Sequence, residues 1–394
     1  MSSQANPRSD RCPLCDHRSA QVLLELRFNH KMGLPTEARV RHCAADNFLF
    51  TDAGSQRDYD VYYAAVANDT YHGELSGESA RSPISALQAG LLKGSLGDFF
   101  RKPRRVLDFG CGEARLLVEL ASQNPTSTFL GFDPGPAART GSQMVKMLGL
   151  GNVSICRTLE GADSAPYHLA IASHVTEHLL DFEILESLRG PLTEHGLLYL
   201  EVPDALSYGD HQRLEFLYYF DRLHVNHFSP QSLAQLAAQH GFGYVSHFQY
   251  AFPYRDGGRY PALGMLLRKG GDTVRVRSQD LLQAAARYIE RERSRAGLIS
   301  AELEALEGVL AWGAGDNFFR SMGNGGPLSG LKNMVVLDRR PQEISVAGRT
   351  FRTMEPEEGI RRYRWPVVVT VSEGRQSIGR QVAAIDPSRR VLFA

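Results

Sequence analysis

The chain has 394 residues, with 44 basic and 44 acidic side chains and no net charge, a length that accommodates two or three domains and a sizeable core. A balanced charge creates no field that would draw in a polyanion or an anionic bilayer, so neither nucleic acid nor membrane is an expected partner. The first residues lack the apolar segment of a secretory signal and no apolar run reaches membrane length, which predicts a soluble, cytoplasmic protein.

In chain order, the first chemistry lies at Cys12-Pro-Leu-Cys15, a knuckle that aims two sulfurs at one point. A second half-knuckle follows at Arg41-His42-Cys43-Ala-Ala-Asp46, with aspartate where another cysteine would complete a four-thiolate ribbon. Cys12, Cys15 and Cys43 with Asp46 as oxygen ligand make a Cys₃Asp set for structural zinc, and His42 or His17 could replace Asp46. The bland alternative is a decayed knuckle held by Val22, Leu23, Leu24, Leu26, Phe48 and Phe50. With five unevenly spaced cysteines, a disulfide framework is not expected. Asp58-Tyr-Asp-Val-Tyr-Tyr63 and Tyr71-His72 then lead into the core, where packing is the expected role of most of these tyrosines.

The stretch Arg105-Val-Leu-Asp-Phe-Gly-Cys-Gly-Glu-Ala-Arg115 reads as an apolar strand ending in an acid, a turn with two glycines one residue apart, and the opening of a helix with Leu116, Leu117 and Leu120 on its buried side. Such a turn offers bare backbone at the positive end of a helix. A dinucleotide site wants glycine at the third fingerprint position, which here is Arg115, and no carboxylate beside its pyrophosphate. S-adenosylmethionine fits better, because its amino and sulfonium groups are cationic and tolerate Asp108. The run Ser127-Thr-Phe-Leu-Gly-Phe-Asp133-Pro134 reads as the next strand, ending in an acid 25 residues after Asp108 and where an acid would grip a ribose diol. Asp108, Phe109, Gly110, Gly112, Asp133 and Pro134 are therefore the candidate donor-binding residues.

Further strands are expected at Val153–Thr158, His168–His174 and Leu197–Pro203, the alternation of a parallel sheet covered on both faces. Their carboxyl ends bring Thr158, near an adenine, and Ser173 with His174 to the same crevice. Glu177-His178 and Asp181 follow the fourth strand; His178 either contacts substrate or caps its helix. Pro203-Asp204 opens an aromatic loop over 208–220 long enough to act as a lid. Ser229 reads as an N-cap, Pro230 as the first helical residue and Phe228 with Leu233 as a hydrophobic staple, predicting a helix over 230–240. His224 and His227 precede it; a neutral imidazole suits proton abstraction, so His224, His178 and His227 are the catalytic candidates, with a structural role the alternative for each.

After amphipathic helix over 278–308 come Val309–Trp312, Gly313-Ala-Gly315 and the strand-end acid Asp338, a second nucleotide-type pattern. Phe318 stands at its third fingerprint position, which opposes dinucleotide binding. Asp316, Asn317 and Arg320 are candidate acceptor contacts.

The motif carried by Val106, Asp108, Gly110, Gly112 and Asp133 resembles that of class I S-adenosylmethionine-dependent methyltransferases. The whole organisation resembles the nucleotide-sugar C-methyltransferases, with a cysteine-knuckle domain, a methyltransferase core and a histidine loop ending in Phe228-Ser229. The resemblance implies a small zinc-ribbon-like domain over 1–60, a Rossmann-like core over 61–270 with a mostly parallel seven-stranded sheet, and an α/β Rossmann-like domain over 271–394 that closes over a small-molecule acceptor. In that family a Tyr-x-Glu-His run carries catalysis and its histidine aligns with His224, but Asp221, Arg222 and Leu223 precede it here. The acceptor atom is accordingly left open among carbon, oxygen and nitrogen, with a dinucleotide-dependent oxidoreductase as the remote alternative.

Overall fold

The computed structural model describes residues 11–394 except 19, 32, 53, 67–81, 160–164, 255–257, 273–275, 324 and 372–373; Tyr71 and His72 lie outside the described residues. Three strands open the chain, β1 (Gln21–Arg27), β2 (Glu37–Cys43) and β3 (Phe48–Thr51), followed by helices α1 (Gln56–Val66) and α2 (Pro83–Leu96). The alternating segment comprises β4 (Arg105–Phe109), α3 (Arg115–Ser122), β5 (Thr128–Phe132), α4 (Ala137–Met147), β6 (Val153–Cys156), β7 (Tyr167–Ser173), α5 (Glu183–Arg189) and β8 (Leu192–Pro203). It continues through β9 (Asn226–His227), α6 (Pro230–Gln239) and the long hairpin β10 (Phe242–Pro253) and β11 (Arg259–Lys269). Helix α7 (Leu281–Glu304) leads to β12 (Val309–Trp312), α8 (Asp316–Met322), β13 (Met334–Leu337), β14 (Glu343–Val346), β15 (Arg349–Arg352), α9 (Pro356–Arg362), β16 (Val367–Val369), α10 (Arg375–Ile385) and β17 (Val391–Phe393).

The central sheet has seven strands in the order β10-β11-β8-β7-β4-β5-β6. β4 lies between β5 and β7, parallel to both, and only β11 runs against its neighbours. Val106, Leu107 and Asp108 of β4 are all buried, because a parallel strand is covered on both faces. Successive residues serve opposite layers: Val106, Leu169 and Ile171 pack with α2 and α3, while Leu107, Ala170 and Leu198 pack with α5 and α6. In such a strand an acid is conspicuous.

The first sheet, β1-β2-β3-β9, borrows its last strand from 226–227, with Leu49 opposite His227 and Phe50 opposite Asn226. The first sheet is thus completed by residues far along the chain from the expected 1–60 unit. The third sheet, β13-β12-β16-β17, is parallel throughout, in keeping with the α/β expectation for this end. Helix α7 belongs physically to the aromatic loop before β9: Tyr288 Oη accepts from Tyr219 N at 3.2 Å and Glu292 Oε2 from Leu217 N at 3.1 Å. Among the described residues no helix is long and apolar enough to cross a membrane.

Candidate active site

Gly110 and Gly112 have φ of +75° and +52°, the left-handed region in which a side chain is strained. Phe132 O accepts from Gly110 N at 2.7 Å and from Cys111 N at 3.0 Å, folding the turn back over β5. A Cβ on Gly110 would come within 2.4 Å of Val175 Cγ2, whereas one on Gly112 would meet nothing within 4 Å. The first glycine permits close packing; the second leaves bare backbone facing open space. Two non-glycine residues flank this crevice in the same conformation, Ala114 (φ +60°) and His174 (φ +55°), and strain of this kind gathers at functional sites.

The carboxylate of Asp133 is divided, accepting from Gly112 N at 2.9 Å through Oδ2 and from Gly135 N at 2.7 Å through Oδ1. It therefore braces the glycine turn as well as marking the end of β5. Asp108 is buried beneath the turn and its carboxyl is pushed up to about 8, first by burial and then by the negative charges of Asp133 and Glu201. Phe109 packs against Phe132 with tilted rings whose centroids are 4.9 Å apart. Pro134 is exposed and its carbonyl accepts from Arg157, Thr158 is exposed beyond β6, and Ser173 Oγ donates to Glu201 Oε1 at 3.1 Å. All eight predicted donor-side residues lie at or just beyond the carboxyl ends of β4 to β7.

Glu201 was not foreseen as a site residue. It sits on β8 opposite Ser173, has no exposed surface, and accepts from Tyr250 Oη at 3.0 Å and from Gln88 and Tyr199. Beside it, His174 places Nδ1 3.1 Å from Glu177 Oε1 and Nε2 3.3 Å from Glu201 Oε1. Burial opposes charging of this imidazole, but the two carboxylates outweigh it and raise His174 to about 10. Burial alone would raise Glu177 and Glu201; chiefly the contacts with His174 hold both below the ordinary carboxylate value. A signal was available: Leu197-Leu-Tyr-Leu-Glu-Val-Pro203 carries one acidic residue in an apolar strand, and such residues are seldom fully buried without a reason.

The three candidate histidines separate cleanly. His227 is wholly buried, with Nε2 3.1 Å from Thr51 Oγ1 and Nδ1 3.2 Å from Tyr208 Oη. Burial depresses it to about 3, and both ring nitrogens are engaged in tying β9 to the first sheet and the aromatic loop, the arrangement of the structural alternative. His178 donates from Nδ1 to Leu223 O at 3.0 Å, with Tyr63 Oη also 3.0 Å away. Since a carbonyl only accepts, that bond places a proton on Nδ1. His224 is partly exposed, with its ring 4.8 Å from that of His178; burial and the neighbouring His178 lower it to about 4, so it is neutral at physiological pH. His178 and His224 face Glu177, one step from His174 and two from Glu201, beside the glycine turn that Val175 packs against.

The predicted metal ligands also converge. Cys15 Sγ is 3.7 Å from Cys43 Sγ, and Asp46 Oδ2 is 3.4 Å from Cys12 Sγ and 3.9 Å from Cys43 Sγ. These separations match the edges of a tetrahedron with bonds of about 2.3 Å, roughly 3.8 Å. Gln235 donates to the other oxygen of Asp46 at 2.6 Å, the outer support that orients a ligand. His42 Nε2 faces Asn47 Oδ1 at 3.2 Å and His17 is exposed, so of the three fourth-ligand candidates Asp46 fits.

The second glycine turn repeats much of the first turn's geometry. A Cβ on Gly313 would meet Val371 Cγ1 at 2.5 Å, Ala314 N donates to Asp338 Oδ2 at 3.0 Å, and Phe318 is fully buried in the core. A Cβ on Gly315, like one on Gly112, would meet nothing within 4 Å, so what opposes dinucleotide binding here is the bulk of Phe318 at the third fingerprint position. Asp316, Asn317 and Arg320 join domains instead of lining the acceptor side: Asp316 meets Lys31 and Arg222, Asn317 accepts from Phe216 N, and Arg320 pairs with Glu215.

The sheet order, the glycine turn and the acids at the ends of β4 and β5 define a class I S-adenosylmethionine-dependent methyltransferase domain, and residues 84–247 match a family model described as methyltransferase domain. The protein is a methyltransferase enzyme. It is 26% identical over 165 residues to tRNA (guanine-N(7)-)-methyltransferase of Christiangramia forsetii, covering 36% of this chain and 74% of that one. Among solved structures it is similar to the O-methyltransferase of a trans-AT PKS multienzyme of Brevibacillus brevis in complex with S-adenosyl-L-homocysteine, at 16% identity and a TM-score of 0.36 over 52% of this chain and 77% of that one. It is also similar to coclaurine N-methyltransferase, at 14% identity and a TM-score of 0.35 over 47% and 72% of the two chains.

Proposed function

We propose that the protein methylates a small molecule held between the core and the C-terminal domain, and that the acceptor is a nucleotide-linked keto-sugar or a related metabolite. The observation that carries this reading is the acidic lining of an open glycine turn, with Asp108 and Glu201 buried and Asp133 bracing the backbone. A cationic ligand suits that lining and a pyrophosphate does not. Bound there, S-adenosylmethionine supplies an electrophilic methyl on a positive sulfur.

The protein's own part is to align the acceptor, exclude water and take a proton from the attacking group. Asp108 and the open backbone face at Gly112 hold the donor. His224, neutral and beside Glu177 and His178, handles the acceptor's proton. Cys12, Cys15, Cys43 and Asp46 hold a structural zinc ion, distant in sequence from this chemistry. The balanced charge speaks against a nucleic acid acceptor of the kind named in the tRNA methyltransferase relative.

Incubation with methyl-labelled donor and a panel of keto-sugar nucleotides should transfer label to one of them; label on none, with the donor bound, would exclude this acceptor class. His224→Ala is expected to lower kcat by roughly 10²–10⁴-fold with donor affinity unchanged by calorimetry. Unchanged turnover would return this histidine to a structural role.

A further inference from the structure

Glu177, His178 and His224 each turn one ligand atom toward a common point, all within 4.8 Å of one another. Their hydrogen bonding is incomplete in one direction only. Glu177 Oε2 and His224 Nδ1 are buried and, among the described residues, have no hydrogen-bond partner, and Glu177 is only 1% exposed. His178 Nε2 lies beside the same carboxylate, 3.9 Å from Glu177 Oε1. An unpartnered buried polar atom costs about 1–3 kcal/mol, so such atoms do not gather without a reason.

The outward sides of the same groups are supported. His178 Nδ1 donates to Leu223 O, and Glu177 Oε1 takes His174. This is how metal-binding imidazoles and carboxylates are held from behind.

We infer that Glu177, His178 and His224 bind a divalent transition-metal ion that presents an oxygen of the acceptor to the donor. One carboxylate and two imidazoles make the facial set typical of Fe(II), Mn(II), Co(II) or Zn(II), with coordination positions left open for substrate oxygens. Bonds of about 2.0–2.2 Å require ligand atoms about 3–3.5 Å apart, closer than the present limit of 4.8 Å, so binding draws the three side chains together. The site adjoins the donor turn through Val175, which packs on Gly110. The inference rests on reading this side of the crevice as the acceptor side, and it refines His224 from a free base to a ligand.

Cobalt(II) added to chelator-treated full-length protein tests it. The cysteine cluster will show a thiolate-to-cobalt charge-transfer band; the expected second class of sites shows d–d absorption without that band. Glu177→Gln and His178→Gln should each weaken only the second class, by more than about tenfold, with far-ultraviolet circular dichroism unchanged. If either variant fails to fold, the wild-type protein decides: manganese(II) should broaden the ¹³C-methyl resonance of bound S-adenosylmethionine. The inference is overturned if wild type shows thiolate-type sites alone, if the second class survives both substitutions, or if manganese leaves the methyl resonance sharp. Donor binding measured by calorimetry without metal tests the methyltransferase reading separately.

Discussion

Asp108, pushed up to about 8 at the end of β4, carries a proton at neutral pH until a cation takes its place. Its unfolded value is near 3.8, so the folded state holds the extra proton. The associated stability is full below the unfolded value and is lost as pH rises through about 8. Asp108→Asn should therefore make the ligand-free protein more stable than wild type above pH 8, by on the order of a few kcal/mol in chemical denaturation, while abolishing donor binding. Equal stability at high pH would mean that the carboxyl is not so buried. Donor binding to wild type at neutral pH should also release a proton, seen as a dependence of calorimetric enthalpy on the buffer's ionisation heat. The functional residues that could be read in advance were those whose local grammar is distinctive: a strand-end acid, glycines one residue apart, a second acid one strand later. Glu201 escaped because its role depends on Gln88, Ser173 and His174, which reach it from other elements.

Helix α6 shows how far local signals reach. Ser229 Oγ accepts from Ser232 N at 3.2 Å and Ser232 Oγ from Ser229 N at 2.9 Å, and the helix runs over Pro230–Gln239 against an expected 230–240. Ser229→Ala should lower stability by about 1 kcal/mol, measured by denaturant unfolding; a negligible change would show that packing of Leu233 and Leu236 alone fixes the helix. The expected strands ending at Asp108, Asp133 and Pro203 were also found, since buried parallel strands announce themselves as apolar runs. The hairpin of β10 and β11 was not read. Its twelve and eleven residues mix Tyr, His, Gln and Arg with apolar side chains, and the outer of its two strands has no neighbour on one edge, so its period is weaker than that of the centre.

The domains of the molecule are joined by buried arginines. Arg222 is 1% exposed and donates to Asn29 O at 2.7 Å, Asn29 Oδ1 at 2.8 Å and Asp316 Oδ1 at 2.9 Å, so one side chain from the histidine loop touches both the first and the last domain. Arg222→Ala should cost about 3–5 kcal/mol and split calorimetric unfolding into separate steps; a single unshifted transition would show that the domains are held together elsewhere. From the chain alone this arginine carries no signal, standing at the unrestricted position of a Tyr-x-Glu-His run, because its partners lie 193 and 94 positions away. Strand β9 has a related consequence for anyone recombining this scaffold. A foreign knuckle module grafted onto residues before 60 would arrive without an edge to dock on, so exchange of that module must carry Asn226 and His227 with it, and with them the stretch on which His224 is mounted.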